Sequence, residues 1–211
     1  MNFDYSDEQQ QLADSLQKYL AGQYGFEQRK AILNSAAGIS DAVWATFAEM
    51  GLTSIALPEE DGGFGGGAVD LMAAMEACGE ALVVEPLLDN VGLAGRLLAR
   101  CGSAAQRGAW LPGLIDGSVK LAFAGLEPSR RYDLAPASTT ASLQGGSWVL
   151  NGTKSVVVGA PSASRLIVSA ATGSTAGGGA SLFLVDPAAA GVTLNPSRTV
   201  DGLRVADVRF E

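Results

Sequence analysis

Gly117-Ser-Val-Lys120-Leu-Ala-Phe-Ala-Gly125-Leu-Glu-Pro128 is the stretch at which the chain changes its rhythm. On its N-terminal side apolar residues recur every three or four positions, as on one face of a helix. On its C-terminal side they come in short or alternating runs separated by turn residues, as in strands. A run of helices followed by a run of strands defines an α+β chain. The reading places a helical domain at residues 1–117 and a β domain, barrel or sandwich, at 118–211.

Working toward the N-terminus, Ser103 with Gln106 reads as a capping box that opens a short helix through Trp110 to Leu114. Val91, Ala94, Leu97, Leu98 and Cys101 form a helical stripe stopped by Gly102. Leu71, Met72, Met75 and Cys78 form another, after the glycine-rich stretch Gly62–Gly67. Val43, Trp44, Phe47 and Met50 mark a helix ending at Gly51. Ser6 with Gln9 caps a helix whose stripe is Leu12, Leu16, Tyr19 and Leu20. Trp44 and Trp110 read as core residues.

Working toward the C-terminus, strands are expected at Lys120–Leu126, Thr139–Leu143, Trp148–Leu150, Ser155–Val158, Leu166–Ala170, Leu182–Val185, Val192–Leu194 and Val205–Phe210. Gly145-Gly146 and Asn151-Gly152 read as hairpin turns. The run from Gly173 to Gly179 holds no core-forming residue and reads as a flexible loop. Val205–Glu211 ends without a closing turn, which predicts an unpaired edge and a polypeptide that continues beyond it.

Composition excludes much chemistry. Across 211 residues there is no histidine, so Ser-His-Asp and Cys-His catalysis and imidazole-dependent metal sites are ruled out. With 14 Lys+Arg against 22 Asp+Glu, the net charge of -8 disfavours nucleic acid and anionic membrane as partners. The N-terminus lacks the basic and apolar regions of a signal peptide, and no apolar run is long enough to span a bilayer. Cys78 and Cys101 lie in apolar helical stripes without a CxxC partner and are expected as buried free thiols. A cytoplasmic protein without membrane insertion is expected.

Three motifs invite chemical readings. Gly62–Gly67 resembles a phosphate loop only superficially: Glu59-Glu60-Asp61 precedes it, and three acids repel phosphate, so an interhelix loop is the better reading. The same three acids are adjacent in a loop and read as a solvated surface rather than an acid–base pair. Arg130-Arg131-Tyr132 is open between a clamp for phosphate or carboxylate and an ordinary charged turn.

Trp44-Ala-Thr-Phe-Ala-Glu-Met-Gly-Leu52 and Pro58-Glu-Glu-Asp-Gly-Gly-Phe-Gly65, with the apolar run between them, resemble the acyl-CoA dehydrogenase family. That family reads W-x-x-L/F-A-E-x-G-L followed by P-E-x-x-G-G-x-G. The resemblance continues through Gln106–Gly117 (Q-x-x-x-L-P-x-L-x-x-G), Leu121–Pro128 (a strand ending in T-E-P) and Trp148–Lys154 (Y-x-x-N-G-x-K). It implies a helical N-terminal domain and a middle β-barrel, without the family's C-terminal four-helix domain. Tyr24–Arg29, Gly62–Val69, Ser129–Leu134 and Leu166–Ser169 are similar to the small subunit of pimeloyl-CoA dehydrogenases. That similarity implies a heteromeric assembly and points toward a dicarboxylyl-CoA.

The resemblance also implies a reaction. Family members introduce an α,β double bond into an acyl-CoA thioester. A glutamate takes the α-proton, a hydride passes to FAD, and the electrons leave through an electron-transfer flavoprotein. The glutamate belongs to the C-terminal domain, beyond Glu211, so none of the present residues is expected to be catalytic. The positions matching the flavin site are Phe123, Gly125, Leu126, Val156 and Val158; those matching the substrate side are Arg131 and Tyr132. Several depart from the family pattern. Leu126 stands for a threonine, Arg131 and Tyr132 for a glycine and a serine, and Val156-Val157-Val158 for W-x-T. Two readings follow: a flavin-binding subunit, or a flavin-poor partner of a homologous large subunit, as against a homo-oligomer. An acyl-CoA oxidase, sharing the fold but passing electrons to oxygen, is the third.

Overall fold

The structure is a computed structural model and describes residues 4–128, 130–136, 138–173 and 179–211. The expected loop at 174–178 and the first three residues lie outside the described residues. The chain divides into two compact units, Met1–Val119 and Lys120–Glu211.

The first unit is helical: α1 (Asp7–Gln23), α2 (Phe26–Asn34), α3 (Asp41–Glu49), α4 (Ala68–Glu80), α5 (Arg96–Cys101) and α6 (Ala104–Ile115). A π-helical segment, Leu88–Gly95, leads directly into α5. Both capping boxes form, at Ser6 with Gln9 and at Ser103 with Gln106, and satisfy amide donors that have no partner inside the helix. Leu16, Leu20, Val43, Trp44, Phe47 and Leu52 gather in one core with Leu71, Ala74, Ala77 and Cys78. Each large apolar side chain so buried stabilises by about 1.5–3 kcal/mol. The Trp44 indole N–H donates to the Gly117 carbonyl at 3.1 Å, which satisfies its one polar atom.

Several expectations are corrected. The inward stripe of α4 runs through alanines, and Met72 faces solvent with 48% of its surface exposed. Trp110 is only half-buried, and Cys101, at the end of α5, is an exposed free thiol, whereas Cys78 is buried. Helix α2 has no counterpart in the periodicity because none of its residues is buried.

The second unit is a curled sheet of seven strands: β1 (Leu121–Ala124), β2 (Thr140–Gln144), β3 (Ser147–Val158), β4 (Arg165–Thr172), β5 (Ala180–Val185), β6 (Val192–Arg198) and β7 (Arg204–Phe210). Ala122 and Ala124 of β1, Leu166 and Val168 of β4, and Ala206, Val208 and Phe210 of β7 share one core, although β7 pairs with neither β1 nor β4. Curling brings these separated strands face to face. The Gly145-Gly146 turn forms with φ of 56° and 85°, both in the left-handed region that a two-residue hairpin loop demands.

Asn151-Gly152 is not a turn. It lies inside the long strand β3, with Thr140 opposite Asn151 and Phe210 opposite Gly152. A Cβ on Gly152 would sit 2.6 Å from the Thr139 Cα, so the glycine is there for a close backbone approach. Strand β7 is no edge: it pairs with β3 on one side and β6 on the other. The unpaired-edge argument therefore has no footing.

Candidate functional site

Strand β4 explains where the motif residues sit. One of its edges is occupied by β5 from Leu166 to Ala171. The other is shared: β1 runs parallel along Arg165–Val168, and β2 takes up the same direction at Ala171 and Thr172. Between them the described residues of 125–139 leave the sheet and return. This excursion carries Leu126, Arg131 and Tyr132.

A buried ion pair holds the excursion. The Lys154 ammonium on β3 lies 3.0 Å from Glu127 Oε1, with side chains 0% and 1% exposed. Lys154 Nζ also donates to the Gly125 carbonyl at 3.3 Å and to Ser169 Oγ at 3.1 Å. Glu127 Oε1 accepts the Thr139 amide at 2.9 Å, and Oε2 accepts both the amide and the hydroxyl of Ser138 at 2.9 Å. One carboxylate thus closes the two ends of the excursion, and every charge in the pair has its hydrogen bonds. Burial pulls the Lys154 pKa below its ordinary value, a shift that the neighbouring Glu127 opposes. Glu127 is fully engaged and is not a free base.

Of the positions expected on the flavin side, Phe123, Gly125, Leu126 and Val156 lie in or beside the segments that carry this clamp. The Ser155 amide donates to the Leu126 carbonyl at 2.9 Å, which sets Leu126 beside β3 next to Val156. The Phe123 ring lies against Gly125, 2.4 Å from where a Cβ would stand there. Val156 occupies a bulge between Lys154 and Val157, with φ of 52°, and its amide donates to Asp207 Oδ1 at 2.9 Å. Val158 is half-buried at the end of the same strand.

Arg131 and Tyr132 stand apart from that cluster on the exposed part of the excursion, with Tyr132 95% exposed. Arg131 has φ of 53°. The chain thus keeps, at a non-glycine residue, a left-handed conformation that glycine adopts freely. Arg130 pairs with Asp133, so the two guanidiniums are not both available to an anion. Glu127 and Lys154 entered the sequence reading only as letters of motifs. A lone lysine in a polar stretch, Thr153-Lys154-Ser155, gives no signal of burial; only its recurrence with a glutamate at the same spacing as the family motif does.

Comparison with known proteins fits both units. Residues 6–118 match the acyl-CoA dehydrogenase N-terminal domain, and residues 122–211 match the acyl-CoA dehydrogenase middle domain. The chain belongs to the acyl-CoA dehydrogenase family. It is 36% identical over 170 residues to the human mitochondrial short-chain specific acyl-CoA dehydrogenase, covering 77% of this chain and 41% of that enzyme. Among solved structures it is similar to the ChsE4-ChsE5 complex from Mycobacterium tuberculosis, with 26% identity, TM-score 0.89, and coverage of 100% of this chain and 56% of that one. It is likewise similar to an acyl-CoA dehydrogenase complexed with FAD from Bacillus anthracis, with 25% identity, TM-score 0.86, and coverage of 99% and 36%. The chain spans about half, or less, of the length of these relatives.

The residues present fit the polar edge of a flavin poorly. Leu126, Val156 and Val158 carry no hydroxyl or indole, the Leu126 carbonyl is already taken by Ser155, and the Val156 amide by Asp207. What is left is the Leu126 amide, which makes no hydrogen bond among the described residues, and apolar contact from Phe123 and the valines. Among the described residues no group of three or more acidic, cysteine or histidine side chains could hold a metal ion, and no helix is long and apolar enough to cross a membrane.

Proposed function

We propose that this chain is the N-terminal and middle part of a subunit of a heteromeric acyl-CoA dehydrogenase, and that it contributes weakly to flavin binding. The observation that carries this reading is the contrast at the excursion. The Glu127–Lys154 clamp keeps the segment in place, while the side chains facing the flavin position have no polar atoms and their main-chain groups are mostly engaged. A frame kept with its ligand contacts missing is what a partner subunit needs, because it packs and shapes a site without performing the chemistry itself.

The ChsE4-ChsE5 complex supports an assembly of unlike subunits. The reaction proposed for the assembly is α,β-desaturation of an acyl-CoA thioester, with a flavin supplying hydride acceptance. A dicarboxylyl-CoA is the proposed substrate class, with Arg131 as the residue nearest to hand for a distal carboxylate or a phosphate. No proton-transfer step is assigned to this chain.

The test compares the full-length polypeptide carrying this sequence, alone and mixed with a homologous flavin-bearing subunit. Acyl-CoA-dependent reduction of an artificial electron acceptor is expected only in the mixture. Activity from the polypeptide alone would contradict the partner reading, and acyl-CoA-dependent peroxide formation without any added acceptor would favour an oxidase.

A further inference from the structure

The helical unit contains a cleft of about 750 Å³. That volume is in the range of small-molecule sites. Its walls are apolar, built from Leu57, Pro58, Leu93 and Leu97, with the glycine loop on one side. Its charged groups are three arginines, Arg96, Arg100 and Arg107, and one acid, Glu60.

These charges are not equivalent. The Arg107 guanidinium is held by Glu60 at 3.4 Å and Asp61 at 3.6 Å, so two of the three acids next to the glycine loop face it. Arg96 and Arg100 are exposed and have no ion pair or side-chain hydrogen bond among the described residues. They lie one helical turn apart on α5, where like charges repel one another unless an anion sits between them. In a chain of net charge -8, two uncompensated arginines at the mouth of an apolar cleft are a local reversal of sign that draws anions to it. Three acids beside Gly62–Gly67 argued against an anion at this loop, and the pairing of two of them, Glu60 and Asp61, with Arg107 lessens that objection.

We propose that this cleft binds an anionic amphiphile: a carboxylate or phosphate head bridged by Arg96 and Arg100, with an apolar body against Leu57, Leu93 and Leu97. The cleft is lined by residues of the helical unit alone, and the proposal does not depend on the assignment of the enzyme's reaction.

Isothermal titration of the full-length protein with decanoate, decyl phosphate and inorganic phosphate tests it. Decanoate or decyl phosphate is expected to bind, inorganic phosphate far more weakly, and whichever decyl ligand binds better identifies the head group. Arg96→Gln/Arg100→Gln is expected to weaken binding at least about tenfold, the loss of about 1.4 kcal/mol that removing an ionic contact of this kind gives. Leu93→Asp, at a position already 40% exposed, is expected to weaken it without disturbing the fold. Unchanged affinity in the arginine double variant, no binding of either decyl ligand, or displacement of the ligand by acyl-CoA would each overturn the proposal.

Discussion

Arg131 and Val156 are two of the three non-glycine residues with positive φ among the described residues, at 53° and 52°. For an L-residue this conformation costs about 1–2 kcal/mol, and for a β-branched valine it is a genuine outlier. Arg131 lies in the excursion and Val156 at the bulge of β3, and strain of this kind persists only where the surrounding structure holds it. Arg131→Gly is expected to raise unfolding free energy by up to about 1 kcal/mol in denaturant melts, after allowing for glycine's greater unfolded entropy. A loss of stability instead would show that the Arg131 side chain makes contacts that outweigh the strain. The two thiols separate in the same way. Burial, with the charge of Glu85 adding to it, pushes the Cys78 thiol up to about 12, while Cys101 is exposed. A thiol reagent at neutral pH is expected to label Cys101 alone in the native protein, and rapid labelling of both would contradict the burial of Cys78.

At the scale of elements, two buried carboxylates hold segments that periodicity leaves unassigned. Glu127 closes the excursion between β1 and β2. Lys154→Met leaves that carboxylate buried without its counter-charge and is expected to cost about 3–5 kcal/mol; adding Glu127→Gln should recover part of it. A loss below about 1 kcal/mol would mean that the pair behaves as a solvated surface bridge. In the helical unit Glu85 accepts the Tyr24 hydroxyl at 2.7 Å and the Ser40 amide at 2.9 Å, and burial raises its pKa. The folded state therefore holds a proton that the unfolded chain has already released, and stability falls as pH rises through the interval between the two values. The unfolding free energy of Glu85→Gln relative to the parent should shift in the variant's favour from about pH 4 upward. A pH-independent difference would contradict the raised pKa.

These elements also show what sequence could and could not reveal. Capping boxes, the Gly145-Gly146 turn and the core stripes of α1 and α3 were legible because each depends on a local rule. Asn151-Gly152 misled because a turn dipeptide also suits a strand that must pass close to Thr139. The Glu127–Lys154 pair and the burial of Glu85 were invisible because each depends on a partner distant in sequence, 27 positions away for the ion pair and 61 for Glu85 and Tyr24.

The molecule as a whole keeps the architecture of an acyl-CoA dehydrogenase's first two domains. The clamp is buried inside the sheet unit, whereas Arg131, Tyr132 and Val156 are exposed and Leu126 and Val158 half-buried. Restoring hydroxyls with Leu126→Thr and Val158→Thr should leave the clamp intact and raise flavin occupancy.

The chain itself is expected to hold flavin weakly, and its flavin content decides the matter. The full-length polypeptide is purified alone, and released flavin is quantified by visible absorbance against protein concentration. Strongly substoichiometric flavin, rising in Leu126→Thr/Val158→Thr, is the expected result. Stoichiometric flavin on the unaltered polypeptide would contradict it.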